Sequence, residues 1–116
     1  LWGHSGAAPE FFSLPSEVGL VAMNVICVPI HEELLFRGLL LRAIELSRLG
    51  AVGAVVITGV LFAAIHHVGS PLAAVHFLGL GILFGAARWR TNSPVTSWAL
   101  HTVANAIAVG DAKAIR

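Results

Sequence analysis

Glu32 and Glu33 stand side by side, with Arg37 following, inside the apolar run Pro29-Ile-His-Glu-Glu-Leu-Leu-Phe-Arg37-Gly38-Leu-Leu-Leu. An unpaired acid or arginine at the middle of a bilayer costs roughly 2.5–3.5 kcal/mol, so three ionisable groups here call for a chemical reason. Neighbouring residues on a helix point about 100° apart, so the two acids cannot face the same partner. Glu33 and Arg37 are four apart in the acid-first order that favours an ion pair, which holds Glu33 charged. Glu32 has only Val28 and Phe36 at the equivalent positions. It is the carboxylate left free for general-base work. The plainer reading is that both acids serve only as ties between helices.

Further polar groups lie on other apolar segments. One carries Phe62-Ala-Ala-Ile-His66-His67, another His101-Thr-Val-Ala-Asn105. The second places an imidazole and an amide one turn apart on one face. A lone histidine in such a segment is usually a packing residue with one hydrogen bond. His66, His101 and Asn105 converging on Glu32 is a different matter, because four such groups in a dry bundle can position a water, deprotonate it and stabilise an oxyanion. His4, His31, His67 and His76 have no polar partner at helical spacing and are read as packing or surface residues. His31-Glu32-Glu33-Leu34-Leu35 is not HExxH, so a zincin site is not supported. Gly3-His4-Ser5-Gly6 has the form GxSG of rhomboid serine proteases, but it lies in a mixed, proline-containing stretch and is read as chance.

The elements that must hold these groups are apolar helices. The 116 residues are 57% hydrophobic and 11% charged, against about a quarter charged in soluble domains. From Leu49 to Ala87 there is not one Asp, Glu, Lys or Arg. Two crossing helices of about 20 residues fit in that stretch, with a turn signal at His67-Val-Gly-Ser-Pro71 between them. The alternative is a buried helical hairpin of a soluble protein.

Four segments are expected. The first, 16–48, has Ser13 or Ser16 as its cap, and at 1.5 Å per residue it is longer than a ~30 Å hydrocarbon core. Pro29 should kink it by withholding a donor from the carbonyl of Val25. The second covers 51–67, and the third 71–90. The fourth follows Asn92-Ser93-Pro94 and should stop near Gly110-Asp111. Gly53, Gly59, Gly79, Gly81 and Gly85 read as close-packing faces between helices. Trp89 and Trp98 match an interfacial belt. Arg42, Arg48, Arg88 and Arg90 fall on one side of this layout, with Lys113 and Arg116 on the other, which places the turn between the first and second segments and the turn between the third and fourth in the cytoplasm.

Net charge is +1 with no basic cluster, so nucleic acid is not an expected partner. Cys27 has no second cysteine and reads as a small hydrophobe. The start at Leu1 suggests an excerpt of a longer protein, and 1–116 reads as a single membrane-embedded domain.

Glu32-Glu33-x-x-x-Arg37, Phe62-x-x-x-His66 and His101-x-x-x-Asn105, in this order on separate apolar segments, closely resemble the three motifs of the CPBP intramembrane protease family. That family includes the type II CAAX prenyl endopeptidases and the bacterial Abi or bacteriocin-immunity proteins. The resemblance runs from about residue 29 to 108. It implies an all-α, polytopic transmembrane bundle of about four helices, the catalytic core of a larger intramembrane protease with further helices before the first motif. It implies hydrolysis of a peptide bond in a membrane-associated or lipidated protein by a glutamate-activated water. By the same resemblance, Glu32 activates the water with His66 as its helper, His101 and Asn105 steady the oxyanion, Glu33 and Arg37 form a supporting ion pair, and Phe62 packs beside the site. The spacing to Phe62 favours His66 over His67 as the motif residue. The partners implied are the lipid bilayer and a hydrophobic or lipidated peptide, and the location is the plasma membrane of a prokaryote.

No cofactor is assigned. Glu32, His66 and His101 are the set that would hold zinc, but a metal-free glutamate mechanism uses the same residues, and Asn105 is a poor zinc ligand and a good oxyanion donor. Two other readings compete. In one, an inactive immunity or scaffold protein keeps the motif residues as structural ties. In the other, His66 and His101 ligate haem, which leaves Glu32, Glu33 and Arg37 without a role.

Overall fold

The computed structural model describes residues 16–66 and 68–114. The segment before Ser16, with Ser13, His4 and the Gly3–Gly6 motif, lies outside the described residues, as do His67 and Arg116. Four helices account for nearly all of the rest: α1 (Glu17–Glu45), α2 (Gly50–Ile65), α3 (Pro71–Thr91) and α4 (Pro94–Ala114). The described residues contain no strand. α1 and α3 are long and apolar enough to cross a membrane, while α2 is apolar but shorter, at 16 residues.

The boundaries follow local chemistry. Ser16 caps α1 by accepting from the Gly19 N–H at 3.1 Å, and Ser70 caps α3 in the same way from Ala73, with Pro71 as the first helical residue. Gly50, at φ +63°, makes the tight passage from α1 to α2. Asn92 ends α3 in the left-handed region at φ 51°, a place where asparagine is among the few non-glycine residues tolerated. Gly110-Asp111 does not end α4, which runs on to Ala114. One glycine inside a helix costs only about 1 kcal/mol, too little to break it.

α1 is not a uniform α-helix. Met23–Cys27 and Leu34–Leu40 are π turns, each of which takes an extra residue into the helix. The effect of Pro29 is therefore placed differently from the kink at Val25. The Val28 N–H bonds to Met23 O, five residues back. Asn24 O has thus lost its α-type donor, and its π-type donor would be the N–H that Pro29 lacks. It is Asn24 that carries the orphaned carbonyl.

α2 and α3 form the most extensive helix pair. A Cβ on Gly81 would lie 2.8 Å from Gly59 Cα and 2.9 Å from Gly59 O, so the two backbones touch where these glycines cross. The buried face of α3 is Gly81, Phe84, Gly85 and Arg88, at the i, i+3, i+4, i+7 spacing of one helical stripe. Phe36 from α1, Phe62 from α2 and Phe84 from α3 make the apolar core. Many large apolar side chains face outward, including Val18, Leu39, Val52, Leu72, Val75 and Ile107. That is the pattern of a bundle solvated by lipid rather than water.

Candidate active site

The first motif is held from beneath by the aromatic core. Arg37 is fully buried, and its guanidinium lies 4.8 Å from the Phe62 ring centroid, 5.4 Å from Phe84 and 5.8 Å from Phe36. Three ring faces in a water-free setting suit a cation. Its two terminal nitrogens are met by oxygen: Nη1 donates to Glu33 Oε1 at 2.9 Å and Nη2 donates to Gly81 O at 2.7 Å, while Nε faces no acceptor. The close approach at Gly59 and Gly81 thus does more than pack two helices, since it presents a main-chain carbonyl to the arginine.

Glu33 is 1% exposed and connects two helices. Its Oε1 accepts from Arg37 and also from Nδ1 of His101 on α4, at 2.8 Å. A carboxylate can only accept from a neutral imidazole N–H or an imidazolium, so Nδ1 carries the proton and Nε2 is turned the other way. That nitrogen lies 3.5 Å from Glu32 Oε2, close but beyond a hydrogen bond. The ring is fixed by Phe84, stacked at 4.8 Å and 21°, and by the edge of Phe62 at 5.4 Å. Spacing alone paired Glu33 with Arg37. It gave no sign that the same oxygen also orients His101, because that contact joins residues 68 apart in the chain.

His66 caps the C-terminal end of α2. Its Nδ1 donates to Phe62 O at 2.6 Å, and the ring stacks on Phe77 at 4.4 Å and 23°. A carbonyl accepts only, so the neutral ring carries its lone pair on Nε2. Asn105 reaches α1: its Nδ2 donates to Asn24 O at 3.0 Å, the carbonyl orphaned by Pro29. One hydrogen of that amide is taken and one remains.

Glu32, His66, His101 and Asn105 all line one cavity of about 700 Å³, together with Asn24, Phe77 and Leu80. His76 and Asp111 are also on its wall. His76 had no partner at helical spacing in the sequence, and only the packing of α3 against α4 brings it here. His31 keeps the plain role expected of it, donating from Nδ1 to Cys27 O one turn back at 3.0 Å. Trp98 differs from a simple interfacial anchor, since its indole N–H donates to Ile26 O of α1 at 3.3 Å. Arg88, counted among the charges flanking the turns, is buried at 7% exposure and faces the bundle. Among the described residues, no three of His, Cys, Asp and Glu are gathered closely enough to hold a metal ion.

A family model of type II CAAX prenyl endopeptidase Rce1-like proteins matches residues 14–107. The chain belongs to this family. The matched span takes in α1, α2 and α3 whole and reaches past Asn105 on α4. No curated protein and no solved structure gives a significant match. The Rce1-like proteins are CAAX-type intramembrane endopeptidases, membrane-integral and acting on prenylated, membrane-associated peptides. The all-helical bundle with its outward apolar faces fits that class.

Proposed function

We propose that this chain hydrolyses a peptide bond in a prenylated or otherwise lipidated peptide, using Glu32 as the base that activates water. The observation that carries this reading is the convergence of Glu32, His66, His101 and Asn105, from three helices, on one cavity large enough for a peptide segment. Glu32 takes a proton from the water, whose oxygen attacks the scissile carbonyl, and the protonated Glu32 then passes that proton to the departing amine. The His66 Nε2 lone pair suits holding the second water hydrogen. The free Nδ2 hydrogen of Asn105, with His101 Nε2 when that nitrogen is protonated, is suited to the oxyanion. Glu33 and Arg37 act behind His101 as its support.

The mechanism is written without a metal, and exhaustive chelation tests this. Activity lost to chelation and restored by Zn²⁺ would replace the glutamate-only scheme. The primary test is Glu32→Gln in the full chain, assayed with a fluorogenic farnesylated CAAX-type peptide in detergent or nanodiscs. Loss of cleavage with unchanged helicity and elution volume is expected. Wild-type turnover in that variant removes Glu32 from the mechanism.

One observation favours a second reading. Glu33, Arg37, His101 and Asn105 all make ties between helices, as a non-catalytic immunity or scaffold protein would require. In that case the wild-type chain cleaves no lipidated peptide, and Glu32→Gln is neutral for its biological effect.

A further inference from the structure

The second π turn of α1, Leu34–Leu40, leaves a carbonyl in want of a donor much as the first does. The Leu41 N–H bonds to Phe36 O, five residues back, so the α-type partner of Arg37 O is engaged elsewhere. In hydrocarbon no water can satisfy an unmet carbonyl, so it must find a donor within the protein. The donor comes from α3: Arg88 Nε–H donates to Arg37 O at 3.1 Å, in a buried contact. Arg88 Nη1 donates to Asn92 Oδ1 at 3.1 Å, and Asn92 is the left-handed residue that ends α3. Arg88 makes no ion pair among the described residues. Its guanidinium is turned inward for two neutral oxygens, one of them the backbone of the first motif.

Gly81 and Arg88, two turns apart on the same face of α3, therefore grip Arg37 at both ends. Gly81 O takes the tip of its side chain, and Arg88 takes its carbonyl. We propose that Arg88 is a positioning residue for the active site, holding the π turn that sets the rotation of Glu32 and Glu33 toward His101. Relaxation of that turn to α geometry shifts the register by one residue. The acids then rotate by about 100° relative to the Arg37 end of the helix. His101 cannot follow, because Phe84 and Phe62 fix its ring. Arg88 is not on the wall of the cavity, so it acts through Arg37 and Glu33 rather than on substrate.

The kinetic half of this role rests on the proposed protease activity, and the test separates the two. Arg88→Leu removes the donor. Arg88→Gln places an amide N–H at the chain position of Nε and discards the charge. Each variant is prepared as the full chain in nanodiscs with ¹⁵N-histidine, and the His101 imidazole signal is assigned by its disappearance in His101→Gln. The Leu variant is expected to shift the His101 Nδ1 resonance as the bond to Glu33 is lost, and to lower turnover of the farnesylated peptide about 10–100-fold with KM little changed. The Gln variant is expected to keep both near wild type. An unmoved resonance or wild-type turnover in the Leu variant overturns the proposal, as does a Gln variant that behaves like Leu. If the Leu variant does not fold, the Gln variant decides by the same two readouts. If the wild-type chain cleaves nothing, the protease reading fails while the resonance still tests the role of Arg88 in placing Glu33.

Discussion

Substituting Gly81 by alanine tests the geometry that supports the site without touching a motif residue. The new Cβ would lie 2.8 Å from Gly59 Cα, 2.9 Å from Gly59 O and 3.3 Å from Gly59 C. Carbon atoms pack best at about 3.5–4.0 Å, so α2 and α3 must separate by most of an ångström. All three obstructing atoms are backbone, and no side chain can swing aside. Overpacking of this kind costs about 1–3 kcal/mol. Separation also draws Gly81 O away from Arg37 Nη2, now at 2.7 Å, and a hydrogen bond to a charged group is worth about 1.5–3 kcal/mol. The better helix propensity of alanine returns roughly 1 kcal/mol. The expected net loss is about 1.5–5 kcal/mol. Reversible unfolding in mixed SDS micelles measures it, with Gly79→Ala and Gly85→Ala as controls. A Cβ at Gly79 meets nothing within 4 Å, and one at Gly85 makes contacts no closer than 3.4 Å. Both controls should unfold within about 1 kcal/mol of wild type. Gly59→Ala should fall between, because its nearest obstruction, Ile82 Cγ1 at 3.0 Å, is a side-chain atom. A Gly81→Ala protein as stable as the Gly79 control refutes the close crossing and the role of Gly81 O in holding Arg37.

Three further outcomes follow from named contacts. Asn105→Ala should destabilise the wild type by about 1–3 kcal/mol by leaving Asn24 O unmet, yet do little in a Pro29→Ala background, where residue 29 regains its N–H. A double-mutant cycle in the same unfolding assay reads the coupling, and strict additivity contradicts the orphaned carbonyl. Glu33→Gln strips the partner from a fully buried arginine and should lower stability by about 3–5 kcal/mol, while shifting the ¹⁵N signal of His101 Nδ1. A stable variant with an unmoved signal shows that Glu33 holds neither. Cleavage of the farnesylated peptide should survive exhaustive chelation, and its abolition with rescue by Zn²⁺ argues for the metal route.

The helices could be read from the chain because their signals are local. An uncharged stretch from Leu49 to Ala87, Ser13 or Ser16 as the first cap, the turn signal at His67-Val-Gly-Ser-Pro71 and the start after Asn92-Ser93-Pro94 gave four segments close to those observed. Gly110-Asp111 misled, because one poor helix former costs too little to end a helix. The candidate site was legible as a set of residues, since an acid, an amide or an imidazole in an apolar helix is conspicuous by its expense. The partners of those residues were not. Glu33 spaced four from Arg37 concealed its bond to His101, and Trp98 looked like an interfacial residue until its indole was found on Ile26 O.

The sequence by itself determined which residues are costly in an apolar bundle, and it set the periodicity that puts each pair on one helical face. It also determined, through Pro29, that a carbonyl near the first motif would lack its donor. Tertiary structure alone decided which carbonyl that is and who answers it. A π turn moves the orphan from Val25 to Asn24, and Asn105 arrives from a helix 81 positions away. It likewise decided that Arg88 belongs to the interior and that His76 faces the cavity. The reason is physical: hydrogen-bond register within a helix depends on donors that neighbouring helices supply, and no spacing along one segment encodes a partner on another.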